Sequence, residues 1–514
     1  MKSDNRFVLW LSVSVLLIGI ILLVSPLLQK GFFISDDGEW MIIRLSAFYQ
    51  SLREGQFPVR FLGRLNFSYG YPVANFLYPG FMYVGSLLYF LGFTFVDSVK
   101  IILGGSVAAG ALFTFLWLRT YFPPVASAMG TFGFISTPYL AFDLYKRGSV
   151  GEVLAFVPAA MGLYSISAKK PWLLGLAVPL LIVSHNSIAL MFLGFIALYI
   201  TLLGAWRRYW LMFGLGVGMA TFFWFPALHD RKYVVFDAMT VANPMAYFIT
   251  VKNAALVGYA GLLAALLSLF GGKKNRREKT FFVVTFLLTL FIVLPASSFI
   301  WNSSILSRLI QFPYRFLSLT VFLGAWLTAY VLTMQKGLVQ LVLLCLFAGL
   351  GFAAILPFVG QVHIVNRPEG FYTTNEATTT VQGEYMPRWV SQKPTSHAKD
   401  RMIFYTGQGQ FDPRHVSLQS IDTVVKAAEN SEVQVNSVYY PGWGATLDGE
   451  KVRIHYDNPL GVMRIQVPQG DHHLIVAFRE TISRFLADIV SLVSLIWYVI
   501  VVAWRQKKIV RKHS

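Results

Sequence analysis

A single cysteine, Cys345, stands in 514 residues, and it lies inside an apolar run. That excludes a disulfide framework and a thiolate metal site. Charge is also scarce: Asp, Glu, Lys and Arg make up 13% of the chain, where a soluble domain carries about a quarter. The H-E-x-x-H spacing of a helical zinc site is missing, as are internal repeats and low-complexity tracts. Ionisable residues are nearly absent from the middles of the long apolar runs. A proton- or ion-coupled transporter needs some at the midplane. Here they collect at the ends, as suits an enzyme that takes a lipid-borne substrate at one interface.

What is present is apolar. Hydrophobic residues make up 55% of the chain and mean hydropathy is +0.57. Runs of about twenty such residues match the hydrocarbon thickness. The pattern predicts an all-α polytopic membrane protein with about 12–14 transmembrane helices. Candidate spans are 7–28, 77–95, 99–118, 124–142, 150–167, 172–184, 187–205, 210–226, 252–271, 280–297, 316–334, 338–358 and 481–504. The run from Phe7 to Leu28 is long enough to span and is followed by no A-x-A-like cleavage site, so it reads as a signal-anchor.

The net charge of +18 does not indicate nucleic acid, because the positive clusters fall between spans. Lys169-Lys170, Arg207-Arg208, Lys273 to Lys279, Lys336 and Arg505 to Lys512 are topology signals that also favour anionic lipid. They place both termini in the cytoplasm of a cell-membrane protein. They put the 185–187 turn, the 227–250 loop, the 298–315 loop and residues 360–479 outside. Upstream the parity fails. The first loop and Asp143 to Glu152 both belong outside, yet three apolar stretches separate them. One of the three must be re-entrant, interfacial or split.

Residues 360–479 differ from the rest. From Glu432 onward apolar residues alternate, and Asp448-Gly449 and Gln469-Gly470-Asp471 are hairpin turn signals. The organisation is a membrane domain over 1–359 with a first outer loop at 30–76, a small β-rich outer domain over 360–479, and a last span with a basic tail over 480–514.

Candidate chemistry sits at the outer ends of the spans. Asp36 and Asp37 follow the first span, and Arg44 comes two helical turns after Asp37. An aspartate there is either a helix N-cap or a general base for an acceptor hydroxyl. Arg53, Arg60 and Arg64 follow in the same loop. In Lys146-Arg147-Gly148-Ser149-Val150-Gly151-Glu152, Arg147 and Glu152 bracket a Gly-rich turn that lets backbone approach a ligand. Arginine grips phosphate through parallel hydrogen bonds. In Gln311-Phe312-Pro313-Tyr314-Arg315, the proline leaves Arg315 at the mouth of a span, as a snorkelling cation or as a phosphate clamp. Glu152, His185 (between Ser184 and Asn186) and Glu384 (in GEYMPRW) are candidate substrate-positioning residues. The Asp36-Asp37 pair is a candidate ligand for a divalent ion such as Mg or Mn; no cofactor is otherwise indicated.

The ordered set DDG, EGQFPVR, YGYP with FLYPGFMYV, KRGSVGE, SHNSIAL, QFPYRFLSL and EYMPRWV resembles the bacterial membrane proteins called "6-pyruvoyl-tetrahydropterin synthase-related", of GT-C glycosyltransferase architecture. The closing YYPGWGATLDGEKV resembles the outer domain of the YfhO-like membrane proteins. The resemblance covers nearly the whole chain. It implies a GT-C-like fold and transfer of a sugar, with inversion, from a polyprenyl-phosphate donor to an extracytoplasmic glycan, lipid or protein. It further implies Asp37 or Asp36 as base, with Arg44, Arg147 and Arg315 on the phosphate. The chain departs from the pattern at Met41, where relatives often carry a histidine. The alternative is a non-enzymatic lipid-glycan transporter or envelope assembly scaffold on the same fold.

Overall fold

A computed structural model describes residues 2–238, 244–270, 272, 275–302 and 304–513. Lys273 and Lys274 of the third basic cluster, residues 239–243 of the 227–250 loop and Ser303 lie outside the described residues. The membrane part opens with α1 (Lys2–Val24) and a two-residue strand, β1 (Phe32–Phe33). Next come α2 (Gly38–Arg53), α3 (Gly80–Phe90), α4 (Phe95–Arg119), α5 (Pro124–Ile135) and the single turn α6 (Pro138–Ala141). α7 (Val150–Ser167), α8 (Pro171–Ser184), α9 (Asn186–Leu202), α10 (Trp206–Met219) and α11 (Thr221–His229) follow. The bundle continues with α12 (Tyr259–Leu269), α13 (Arg276–Val293), the short α14 (Ser298–Trp301) and α15 (Ser304–Ile310), α16 (Leu317–Met334) and α17 (Gly337–Gly360).

Among the described residues six helices are long and apolar enough to cross a membrane, or nine if each of three bent pairs is one span. Four shorter apolar helices, α3, α5, α8 and α9, complete the bundle. The chain is a multi-pass helical membrane protein. Its two most enclosed spans are Pro313–Met334 and Val150–Ser167, with 89% and 78% of their apolar windows buried, against 17% for the first and last. α16 and α7 are therefore the centre of the bundle. α1, α17 and α19 (Ile482–His513) lie towards lipid.

α3 resolves the parity conflict. Its 11 residues reach about 16 Å, half of the hydrocarbon thickness. Its first residue, Gly80, abuts Val183 beside the α8–α9 turn. It hands over to α4 near Lys100, whose Nζ donates to the Gln29 carbonyl beyond the end of α1 at 2.7 Å. Both ends of α3 thus lie at one end of the bundle. With α3 taken out of the count, Arg119, Lys169-Lys170, Arg207-Arg208 and Lys336 all fall at the opposite end. Composition alone does not separate a short interfacial apolar helix from a span.

After α17 the chain forms β2 (Ile364–Val365), which pairs with β1, and then α18 (Glu369–Thr373). Eight strands follow: β3 (Met402–Thr406), β4 (Gly409–Val416), β5 (Ser420–Ala427), β6 (Ser431–Val438), β7 (Trp443–Leu447), β8 (Glu450–Val452), β9 (Val462–Val467) and β10 (Gly470–Phe478). They make antiparallel sheets ordered β4-β5-β10-β7-β8 and β3-β6-β9. Ile421, Val425, Leu474 and Val476 of one sheet share a core with Val433, Val435, Met463 and Ile465 of the other. Asp448 (φ 53°) and Gly449 (φ 89°) turn β7 into β8, as their left-handed tolerance predicts. The sheets begin at Met402, well before the alternation that sequence reading finds at Glu432.

Arginines of the first loop, of the outer domain and of α19 clamp these parts to the bundle. Arg64 donates to the carbonyls of Tyr372, Thr373 and Asn375, and Arg401 to those of Ser68, Leu418 and Asn436. Arg60, 2% exposed, pairs with Glu480 at 2.9 Å and Asp488 at 3.0 Å before and within α19. Arg484 pairs with Asp230 at 2.8 Å, both buried. The topology has a direct check in a Cys345→Ser background. Phe93→Cys and Lys146→Cys will react with an impermeant thiol reagent from the same side of the membrane, and Lys170→Cys only from the other.

Candidate functional site

The site begins where Thr137, held out of the helical region by Pro138, breaks α5 from α6. α6 runs into a π-helical turn, Phe142–Arg147, a wide coil that turns Asp143 and Arg147 inward. Gly148 ends it at φ 64°, where a side chain would meet Ser35 and the backbone of Gly38. The glycine lets the acidic loop lie directly on the turn. Asp36 N donates to the Lys146 carbonyl at 3.0 Å and Asp37 N to the Arg147 carbonyl at 2.8 Å. Two segments more than a hundred residues apart are thereby held by main-chain hydrogen bonds.

Glu152, in the first turn of α7 and fully buried, is the centre. Its Oε1 accepts from Arg147 Nη1 at 2.5 Å and from Arg315 Nε at 2.9 Å, and its Oε2 from the Tyr139 hydroxyl at 3.1 Å. His185 Nε2 stands 3.5 Å from Oε1. His185 is the extended residue between α8 and α9, and its Nδ1 accepts from Ile188 N at 3.3 Å, capping α9. That bond fixes the tautomer with the proton on Nε2, towards Glu152. Burial, helped by the Arg315 and Arg147 charges, lowers the imidazole pKa to about 3, so the ring is neutral.

Arg315 is 5% exposed, so it does not snorkel. Besides Glu152 it donates through Nη1 to the Ile310 carbonyl at 2.7 Å, Gln311 Oε1 at 3.0 Å and Ser187 Oγ at 3.3 Å. Its Nη2 makes no hydrogen bond to the described residues. Arg147 Nη2 likewise makes none and faces Asp37 Oδ2 at 3.8 Å. The Asp37 side chain is one-third exposed. Burial raises its pKa, with Arg147, Arg44 and Arg315 pulling the other way. Neither aspartate caps α2: Asp37 occupies the N-cap position without a side-chain hydrogen bond. Asp36 turns outward to Lys146 at 2.8 Å.

Two predicted site residues lie away from Glu152. Arg44 gives Nη2 to the Thr379 carbonyl at 2.6 Å, Nε to Thr379 Oγ1 at 3.2 Å and Nη1 to Met41 Sδ at 3.2 Å. Each of its three nitrogens donates to protein, and its charge still reaches Asp37. Glu384 sits on the segment that puts Tyr385 into the cavity described below, and its Oε2 is buried without a partner. Among the described residues no three His, Cys, Asp or Glu side chains are placed to hold a metal. Asp36 and Asp37 face different cations, Lys146 and Arg147.

Asp143 is the residue that sequence reading missed. It is fully buried, with Oδ1 3.3 Å from Arg147 Nη1 and Oδ2 unpartnered. Burial and the neighbouring Glu152 charge push its carboxyl pKa well up. Its i, i+4 spacing to Arg147 was the available signal.

Arg315 also borders an apolar cavity of about 500 Å³. Leu190, Leu193, Val217 and Leu228 are among its apolar lining, and Asn186, Arg231, Arg308, Gln311, His185 and Ser187 join Arg315 in its polar lining. Leu190, on α9, and Leu228, on α11, are about half exposed.

No protein-family model matches the chain, and no curated protein matches it. Solved structures similar to it include the arabinofuranosyltransferase AftD from Mycobacteria, at 16% identity and a TM-score of 0.45 over 69% of this chain and 26% of that one. The oligosaccharyltransferase of Archaeoglobus fulgidus is similar at 11% identity and a TM-score of 0.45, over 71% of this chain and 56% of that one. The chain thus spans about a quarter and about half of their lengths.

The charge assignment has a stability test. Glu152→Gln strands two buried guanidiniums and will destabilise the protein by about 3–5 kcal/mol. Asp143→Asn replaces a carboxyl whose charged form burial disfavours and will change stability by less than about 1 kcal/mol. Thermal unfolding in detergent followed by tryptophan fluorescence checks both.

Proposed function

We propose that the protein is an integral-membrane glycosyltransferase that moves a sugar from a polyprenyl-phosphate donor to an acceptor hydroxyl at the extracytoplasmic face, with inversion. The observation that carries this reading is the double position of Arg315. One edge of its guanidinium is locked to Glu152, its Nη2 makes no hydrogen bond to the described residues, and the side chain lines a cavity whose walls suit an isoprenoid chain. Entry between α9 and α11, past Leu190 and Leu228, would admit a lipid from the bilayer without exposing its chain to water.

In this reading the donor phosphate rests on Arg315 Nη2 and Arg147 Nη2, with His185 and Ser187 beside it. Glu152 holds both guanidiniums in place and offsets their charge. Asp37, on the other side of Arg147, meets the acceptor from the exposed side. The acceptor oxygen attacks the anomeric carbon, the bond from that carbon to the phosphate oxygen breaks, and the acceptor proton passes to Asp37. The two arginines stabilise the charge that grows on the departing phosphate. A carboxyl with a raised pKa is a stronger base than an ordinary aspartate, which suits this role. Asp36 anchors Lys146 and so the turn under Asp37; Glu384 positions a donor group near Tyr385; Arg44 acts on Asp37 by its charge. No step runs through a metal.

The test is transfer of radiolabelled sugar from polyprenyl-phosphate sugars by purified protein in lipid. Asp37→Asn should reduce turnover by about 10²–10⁴-fold with donor binding kept. Donor binding without transfer over a broad panel would point to a lipid-glycan carrier, and transfer that survives the substitution would mean another base. Because the base works only when ionised, wild-type turnover should fall as pH drops through the raised pKa of Asp37. The acid limb of kcat will therefore lie above the pH at which a free aspartate titrates, and it will be missing from the residual activity of the variant.

A further inference from the structure

Two segments form the wall between the cavity and the outer domain: residues 230–238, after α11, and residues 384–390. They are zipped together by main-chain bonds, Val235 N to the Met386 carbonyl and Arg388 N to the Tyr233 carbonyl, each 3.0 Å. On the inner side each contributes one ring to the cavity, Phe236 and Tyr385, stacked at 5.6 Å and 13°. On the outer side each contributes one ring to a second cluster, Tyr233 and Trp389, 6.4 Å apart. The β-rich domain completes this cluster with Tyr439, at the end of β6, and Tyr456. These two stack face to face at 4.1 Å and 7°, and Trp389 lies 5.2 Å from Tyr456 and 5.8 Å from Tyr439.

All four rings are partly exposed. The Trp389 indole N–H is tied to the Tyr439 carbonyl at 3.1 Å, which fixes the ring plane. The hydroxyls of Tyr233, Tyr439 and Tyr456 make no hydrogen bond to the described residues. Arg388, half exposed and 3.9 Å from Asp237, stands at the rim. Tyr233 and Tyr439 rest partly against the core of the β-rich domain, yet all four rings keep exposed area, and a lipid-facing cluster would not gather three unengaged hydroxyls and an ion pair. Rigid flat rings edged with donors and acceptors fit a sugar ring, whose C–H face stacks on an aromatic while its equatorial hydroxyls bond the rim.

We propose that Tyr233, Trp389, Tyr439 and Tyr456 form a saccharide-binding platform, and that the acceptor is a glycan chain held there while its end reaches the site. The second half of this proposal rests on the glycosyltransferase reading; the platform itself does not. The platform belongs to the same two segments that wall the cavity, so a glycan lying on it is already beside the donor. Tyr385 and Trp389, four residues apart, link the two.

Saturation-transfer NMR on the purified full-length protein in nanodiscs tests this, with neutral hexasaccharides of glucose, mannose, galactose and arabinose as probes. Saturation should reach the ring C–H protons of at least one probe. Tyr456→Ala should weaken that binding about tenfold. Trp389→Phe, which keeps the ring and loses the tethering N–H, should weaken it less, and guards against a folding defect. Asp37→Asn should bind the probe as the wild type does, so that binding persists whether or not any transfer is ever observed. Absence of binding by every probe, or binding indifferent to Tyr456→Ala, overturns the platform. If transfer is observed and Tyr456→Ala leaves the acceptor KM unchanged, the acceptor role falls while the transferase reading stands.

Discussion

The contact between Glu152 and Arg315 is the constraint on which the rest depends. It joins the first turn of α7 to the N-terminal end of α16, the two most enclosed spans of the bundle. A carboxylate and a guanidinium in that position lose their hydration, and each is tolerable only because the other is there. Arg147, Tyr139 and His185 complete the coordination of one carboxyl group, drawing α6, the π-helical turn and the α8–α9 break onto the same point. With the charged form of Asp143 disfavoured by burial, two acids face two arginines across Asp37, Glu152, Arg147 and Arg315. An arriving phosphate would find two oriented guanidinium edges and no surplus negative charge that needs to move first.

The outer domain is fastened rather than hinged. Arg60, Arg64 and Arg401 direct their donors across the joint to carbonyls or carboxylates, and Arg484 and Asp230 repeat the arrangement on the last span. Together with the β1–β2 pairing they hold the first loop, the β-rich domain and α19 as one unit around the site. That rigidity suits a platform whose distance from the cavity has to stay constant.

Much of this was legible in the sequence, for definite reasons. Glu152, Arg147, His185 and Arg315 stood out because a polar side chain at the end of an apolar run has few bland uses, and the structure brings those four together. Asp448-Gly449 was legible because few residue pairs accept two left-handed conformations in succession. What stayed hidden depended on information that residue type does not carry. Arg44 is a candidate phosphate ligand by residue type, and its bond to the Thr379 carbonyl is a use that residue type does not announce. Asp143 passed as a loop residue because nothing local announces a π-helical turn or its burial. β4 was missed because Pro413 reads as a strand breaker, although β4 lies at the edge of its sheet, where proline is tolerated. The stretch containing α3 read as a span because interfacial and spanning helices share a composition.

The most direct test of the central claim is an experimental structure of the protein in lipid nanodiscs with a polyprenyl phosphate bound. The account predicts phosphate density within hydrogen-bonding distance of Arg315 Nη2 and Arg147 Nη2. The isoprenoid should run out past Leu190, Leu193 and Leu228 between α9 and α11. A phosphate bound elsewhere, with Arg315 still facing an empty cavity, would contradict it.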